Sequence, residues 1–389
     1  MSLTRAARPT SSCPTRPAYL GRHAVLGKIA GGGLSTIYLG RRVDDGGLVA
    51  LKVVRHDLRD DDEVLAMFAD EAHLLERLVH PNIVRTFEHG TDQDHAFIAM
   101  ELLLGTTLAE VQRACAARGM GLHPEAVAWI GARIADALQY AHDRKDARGQ
   151  PLGIIHRDVN PSNVFLGFDG EVKLIDFGLA KCHGRATKTR RGVIKGKVPY
   201  LSPEQIMQLP LDHRSDLFGL GTTLWELCTT RRLFGRTTEI ETVRAVHCGP
   251  IPDPRLLAPD VPSELAAIIL HALERNRERR YESAGKLARD LDALLGDVGA
   301  ANATARLAEM QRTLFPAELQ RQRGWCKPAL SIARRPSSST GEGERRGVVS
   351  LREPRPAVAS SARASGRSAA REASDRPRQP SEMTNFSAV

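Results

Sequence analysis

Ile154-Ile155-His156-Arg157-Asp158-Val159-Asn160-Pro161-Ser162-Asn163, followed by Leu174-Ile175-Asp176-Phe177-Gly178, is the stretch on which the reading of this 389-residue chain turns. Three polar side chains, Asp158, Asn163 and Asp176, stand among the largely apolar runs 152–155, 164–166 and 172–175. Runs of this kind read as short strands, which would put all three polar groups at strand ends. Either tripeptide alone, His156-Arg157-Asp158 or Asp176-Phe177-Gly178, is compatible with an ordinary turn. Two upstream segments argue against coincidence. Leu26 to Tyr38 sets a glycine cluster between two apolar, β-prone stretches, and glycines let a hairpin backbone come close to phosphates. Val49-Ala50-Leu51-Lys52 is an apolar strand with one embedded lysine, costly to bury unless its ammonium meets an anion.

Together these motifs resemble those of eukaryote-like serine/threonine protein kinases of bacterial type. The resemblance implies an α+β, two-lobed protein-kinase fold, with a small β-rich lobe and a larger helical one. It implies ATP with magnesium or manganese as cofactors, and proteins as substrates. In that family Asp158 would orient the attacking hydroxyl and accept its proton, while Asn163 and Asp176 would hold the metal. Lys52 would meet the α- and β-phosphates. Glu71, in the helical segment Met67 to Leu75, would pair with Lys52, with Asp70 as its competitor. The nucleotide-covering loop would be Ile29, Ala30, Gly31, Gly32, Gly33, Leu34, Ser35, Thr36 and Ile37, with Ala30 and Ser35 standing where the family has its first and third glycines. Phe97 to Gly105 reads as a buried strand ending in a turn and matches the hinge. There Met100 would be the gatekeeper, the backbone of Glu101 and Leu103 would bond adenine, and Ala50 would line the same site.

Two departures bear on mechanism. Where the family's catalytic loop carries lysine this chain has Asn160, and where its activation segment carries threonine this chain has Lys197. The two positions are neighbours in the family fold, so the expectation is that Lys197 joins Lys52, Asp158 and Asn163 as a catalytic group, restoring the missing cation. The competing reading, a nucleotide-binding pseudokinase, rests on Asn160 and the altered glycine loop.

Farther along, Gly196 to Gln205 resembles the end of an activation segment, with Glu204 expected to pair with Arg280 and Asp216 expected to bond the catalytic-loop backbone. The loop from Lys181 to Lys197 holds seven lysines and arginines and no acid. Phosphate on Thr187 or Thr189 would there meet Arg157. Thr107 and Ser162 occupy positions where arginine-directed relatives carry glutamate, so no demand for substrate arginine is expected.

The motifs place a kinase domain over residues 24–295, an appended amphipathic helix over 300–323 with Leu307, Met310, Leu314 and Phe315 at helical spacing, and unfolded segments over 1–20 and 324–389. The net charge is +9. Residues 324–389 hold twelve basic against six acidic residues and residues 1–20 three basic ones, which leaves the part between about neutral. No specific nucleic-acid partner is therefore expected. No apolar run approaches the ~18–20 residues of a membrane helix, and no signal-peptide core is seen, so neither a membrane partner nor any site but the cytoplasm is anticipated. The six cysteines lack metal-ligand spacing. Oligomeric state is not legible in the sequence.

Overall fold

The computed structural model describes residues 18–177, 197–326 and 349–350. These belong to one compact unit, Met1–Leu351; Arg352–Val389 lie outside the described residues. The first lobe is an antiparallel sheet of β1 (Tyr19–Leu20), β2 (His23–Gly31), β3 (Ser35–Arg42) and β4 (Leu48–Val54), followed by helix α1 (Asp62–Leu75) and strands β5 (Thr86–Asp92) and β6 (His95–Glu101). β4 is buried on both faces. Leu51 and Val53 pack with Leu20, Val25, Phe97 and Ala99 on one side, and Val54 packs with Ile98 and with Val64, Phe68 and Ala72 of α1 on the other. The i, i+4, i+8 spacing of those three α1 residues makes the stripe that docks the helix on the sheet, and Asp61 caps it by accepting from the N–H groups of Glu63 and Val64.

The chain leaves this lobe through β7 (Gly105–Thr107), which pairs with β8 (Val164–Gly167), itself paired with β9 (Val172–Leu174). Between β7 and β8 run α2 (Leu108–Ala117) and α3 (Pro124–His142); beyond β9 come α4 (Pro203–Ile206), α5 (Arg214–Thr229), α6 (Glu239–Cys248), α7 (Ser263–Ala272), α8 (Ala284–Leu314) and α9 (Pro316–Trp325). α3 carries small residues where neighbours press closest. A Cβ on Gly131 would lie 2.9 Å from Leu224 of α5 and from Leu291 of α8. A two-residue strand β10 (Val349–Ser350) pairs with β5.

Several expectations change here. Residues 152–155 form no strand: apart from the bridge Lys145–Pro151 the segment runs without ladder bonds, so Asp158 does not sit at a strand end. Tyr19 and Leu20, expected to be unfolded, pair with His23 and Ala24, because the fully buried Leu20 completes the sheet's inner cluster. α8 runs without interruption past residue 295 except at Gly296, whose φ of +59° breaks the helical path. The expected helix over 300–323 is split at Phe315, since Pro316 disfavours helical backbone in the residue before it and then begins α9. Gly324 and Trp325 are the last residues of α9 rather than part of an unfolded tail. Leu307 and Leu314 enter the large-lobe core, with Met310 and Phe315 against it.

Candidate active site

Lys52 lies in the middle of β4, in register with Ile37 and Ile98. Its Nζ donates to Glu71 Oε1 and to Asp176 Oδ1, both at 2.7 Å. The competing Asp70 does not take the place of Glu71. Burial by itself would lower the Lys52 pKa, but the Asp176 and Glu71 carboxylates hold it above its usual value. Partial desolvation would raise Asp176, yet Lys52 and Lys197 keep it below the ordinary carboxylate range. For Glu71 burial wins and the pKa is raised.

Asp176 itself adopts φ +57° and Arg157 φ +64°, left-handed conformations that cost a non-glycine residue of order 1–3 kcal/mol. Packing holds the first of them. Phe177 is buried, its ring centred 4.5 Å from that of His156, and burial keeps His156 below its normal pKa.

The catalytic loop is fixed from beneath. Asp216, at the start of α5, accepts from the backbone N–H of His156 (2.8 Å) and Arg157 (2.7 Å), and bonds His142 Nε2 (2.8 Å). Asn163 Nδ2 donates to the Asp158 carbonyl (2.8 Å) and to Asp158 Oδ2 (2.9 Å). Asn160 is buried and serves the backbone: its Nδ2 donates to the Asp158 carbonyl (2.8 Å) and its Oδ1 accepts from Ser162 N–H (2.9 Å). It supplies no charge. Lys197 supplies one, with Nζ hydrogen-bonded to Asp158 Oδ2. Three carboxylates, Glu71, Asp158 and Asp176, thus meet two ammonium groups in one cleft.

Asn163 and Asp176 offer an amide and a carboxylate oxygen, hard donors suited to magnesium, which takes one or two carboxylates and fills its other positions with phosphate and water. Among the described residues no cluster of three or more His, Cys, Asp or Glu forms a dedicated all-protein metal cage. The donor set fits an ion brought in with a nucleotide.

At the hinge, Met100 pairs with Ala50 across β4 and β6. Glu101 gives its N–H to the Arg85 carbonyl (2.9 Å), and its carboxylate accepts from Arg85 N–H (2.7 Å) and Lys173 Nζ (2.8 Å), so that of its backbone groups the carbonyl is the one it can offer a base. Leu103 follows, half-buried. The glycine loop closes as a hairpin from Ile29 to Ile37: Ala30 pairs with Ile37 and Gly31 with Thr36, and Gly32 N–H donates to the Ser35 carbonyl (2.8 Å). Its tip is tied down, because Arg55 bonds the carbonyls of Gly33 through Nη1 (3.2 Å) and of Leu34 through its own N–H (3.0 Å).

Below the site, Arg280 forms a two-pronged pair with Glu204 (2.6 and 2.8 Å), and Ser215 Oγ donates to the same carboxylate (2.8 Å). Gln205 Nε2 donates to the Arg157 carbonyl (2.9 Å). Sequence reading missed the roles of Gln205 and His142, which lie 48 and 74 residues from their partners and carry no motif signal. Gly178, Cys182, Thr187, Thr189 and Gly196 lie outside the described residues.

A family model described as "protein kinase domain" matches residues 23–290. The chain is 36% identical over 280 residues to the tyrosine-protein kinase MasK of Myxococcus xanthus, covering 71% of this chain and 43% of that protein. It is 35% identical over 302 residues to a probable serine/threonine-protein kinase of Streptomyces coelicolor (76% and 43%), and 33% identical over 271 residues to the serine/threonine-protein kinase PrkC of Bacillus subtilis (70% and 40%). It therefore spans less than half the length of these relatives. The crystal structure of the Mycobacterium tuberculosis PknI kinase domain superposes with a TM-score of 0.53 at 25% identity, covering 71% of this chain and 96% of that one.

Proposed function

This chain belongs to the protein kinase family, and from that premise we propose that it transfers the γ-phosphate of ATP to serine and threonine hydroxyls of proteins. The observation that carries the reading is the paired cluster Lys52–Glu71–Asp176 and Lys197–Asp158, with Asn163 bonded to Asp158. A chain that only bound nucleotide would have no use for a cation held on Asp158.

The family uses ATP with a divalent metal; magnesium or manganese is our assignment here. Bound on Asn163 and Asp176, the metal would neutralise the phosphates. Lys52, oriented by Glu71, meets the α- and β-phosphates from the floor of β4. The glycine loop covers them from above, and Glu101 and Leu103 present backbone groups to adenine beside Met100 and Ala50. Asp158 receives the hydroxyl proton as that oxygen bonds to the γ-phosphorus and the bond to the β-phosphate oxygen breaks, releasing ADP. Lys197 stands where charge develops on the transferred group, and electrostatic positioning of this kind is nearly all that the reaction asks of a protein.

Asn160 offers no charge, and its amide is committed to the loop, which further supports Lys197 as the replacement. A kinase domain over 24–295 belongs to the same proposal, as does a cytoplasmic location; no described helix is long and apolar enough to cross a membrane. Purified protein given labelled ATP, magnesium and a generic protein substrate should yield phosphoserine and phosphothreonine. Absence of transfer with retained nucleotide binding would leave a pseudokinase, and phosphotyrosine alone would move the acceptor class to that in the name of the Myxococcus relative.

A further inference from the structure

Gly105, two residues past Leu103, has both backbone groups taken by one side chain from far along the chain. Gln322 Oε1 accepts from Gly105 N–H at 2.8 Å, and Gln322 Nε2 donates to the Gly105 carbonyl at 2.9 Å. The N–H and carbonyl of one strand residue point to the same side, so the Gln322 amide occupies the place where a neighbouring strand would pair. Glu318 fixes the amide by accepting its other hydrogen (2.5 Å). From α8, Gln311 spans the next rung: Oε1 accepts from Thr106 Oγ1 (3.1 Å) and Nε2 donates to the Leu166 carbonyl (3.0 Å).

Both glutamines are buried, Gln311 completely. Apolar side chains would hold α8 and α9 on the lobe without the cost of desolvating two amides, so their aim at Gly105 and Thr106 calls for a reason beyond packing. The seat admits only glycine, since a Cβ at 105 would come within 2.0 Å of the Leu166 carbonyl. Both glutamines lie beyond residue 290, past the segment that matches the kinase family model.

We propose that Gln322 and Gln311 are positioning residues for the nucleotide site. Docking of the C-terminal helices fixes Gly105 at the exit of the hinge, and with it the angle at which Glu101 and Leu103 offer their backbone groups to adenine. The inference rests on the ATP reading above. Coupling of this kind is reciprocal: bound nucleotide tightens the Gln322–Gly105 contact, and a slack contact weakens nucleotide binding.

The full chain is compared with Gln322→Met, which keeps the bulk and removes the amide, by calorimetry with magnesium and a non-hydrolysable ATP analogue and by initial rates. The dissociation constant and the KM for ATP should both rise roughly three- to tenfold, with kcat at saturating ATP close to that of the unaltered chain. Amide exchange at Gly105 should quicken in Gln322→Met and slow on nucleotide binding in the unaltered chain. Ile269→Ala, in the large-lobe core on α7, is the control for stability alone; it should lower the melting temperature and leave nucleotide affinity unchanged. Unchanged affinity in Gln322→Met, or an equal loss in Ile269→Ala, overturns the inference. An unaltered chain that binds no nucleotide overturns the ATP reading, and the inference with it.

Discussion

In the cleft, Asp176 keeps 51% of its side chain exposed and Lys197 37%, whereas in the network beneath, Asp216, Glu204 and Arg280 are each at 5% or less. The two regions use the same kinds of group. Below, Asp216 has three hydrogen-bond partners and Glu204 is held by Arg280 and Ser215, so no position is left for a ligand. Above, Asp176 and Lys197 each keep an open face toward the cleft. A charge that stays half open between strained backbone and fixed neighbours is poised for something that arrives later; a charge met on every side is scaffold. Substitutions in the cleft should therefore cost rate, and those beneath it stability.

The largest effect should come from Lys52→Met and Asp176→Asn, each lowering phosphate transfer roughly 10³-fold, with Asp176→Asn also weakening binding of the metal–nucleotide complex. The melting temperature of Asp176→Asn, measured alongside, should move little. If loss of rate simply tracked loss of stability, the distinction between the regions would collapse.

Arg280→Ala tests the other side. It leaves Glu204 buried without its partner and should cost about 3–5 kcal/mol in denaturant unfolding. Burial pushes Glu204 up, but hydrogen bonds and charge from Arg280 hold it below its ordinary 4.5. The pair's contribution is thus complete above that ordinary value and lost as pH falls through the lower folded one. The gap between the unaltered chain and Arg280→Ala should accordingly stay level from about pH 7 to about pH 5 and narrow below that. A gap that widened would mean Glu204 is not held low.

Lys197→Thr should slow transfer about 10²-fold if Lys197 is the replacement cation. Adding Asn160→Lys to that variant should recover part of the rate at a cost of about 1 kcal/mol, because Asn160 also caps the turn at Ser162. A Lys197→Thr rate equal to that of the unaltered chain would make Lys197 a member of the basic loop and nothing more.

The smallest effect concerns substrates. Thr107 is bound into the N-cap of α2 with Glu110, and Ser162 lies in the turn that Asn160 caps. Upstream arginine in a peptide array should change the rate by less than about fivefold, the size of an exposed ion pair. A strong arginine preference would place an acidic subsite at the cleft's edge.

Sequence by itself determined the fold class and the groups on which the proposed chemistry rests. Lys52, Asp158, Asn163 and Asp176 could be read because each sits in a short motif whose spacing is local, and the resemblance built on those motifs supplied the two lobes and the pairing of Glu204 with Arg280. Tertiary structure alone decided what depends on distant packing. The apolar run 152–155 looked like a strand, yet Leu152 N–H bonds the Arg144 carbonyl without extending into a ladder, and the loop that follows is held by Asp216, some sixty residues on. Asn160 could be read as a missing charge, but that its amide braces the Asp158 carbonyl needed the fold of the loop. Gln322 carries no signal at all: a glutamine on a polar helix becomes specific only when folding brings it against Gly105, 217 residues away in sequence. A local pattern fixes which groups a segment offers, and only chain closure over long separations fixes which of them meet.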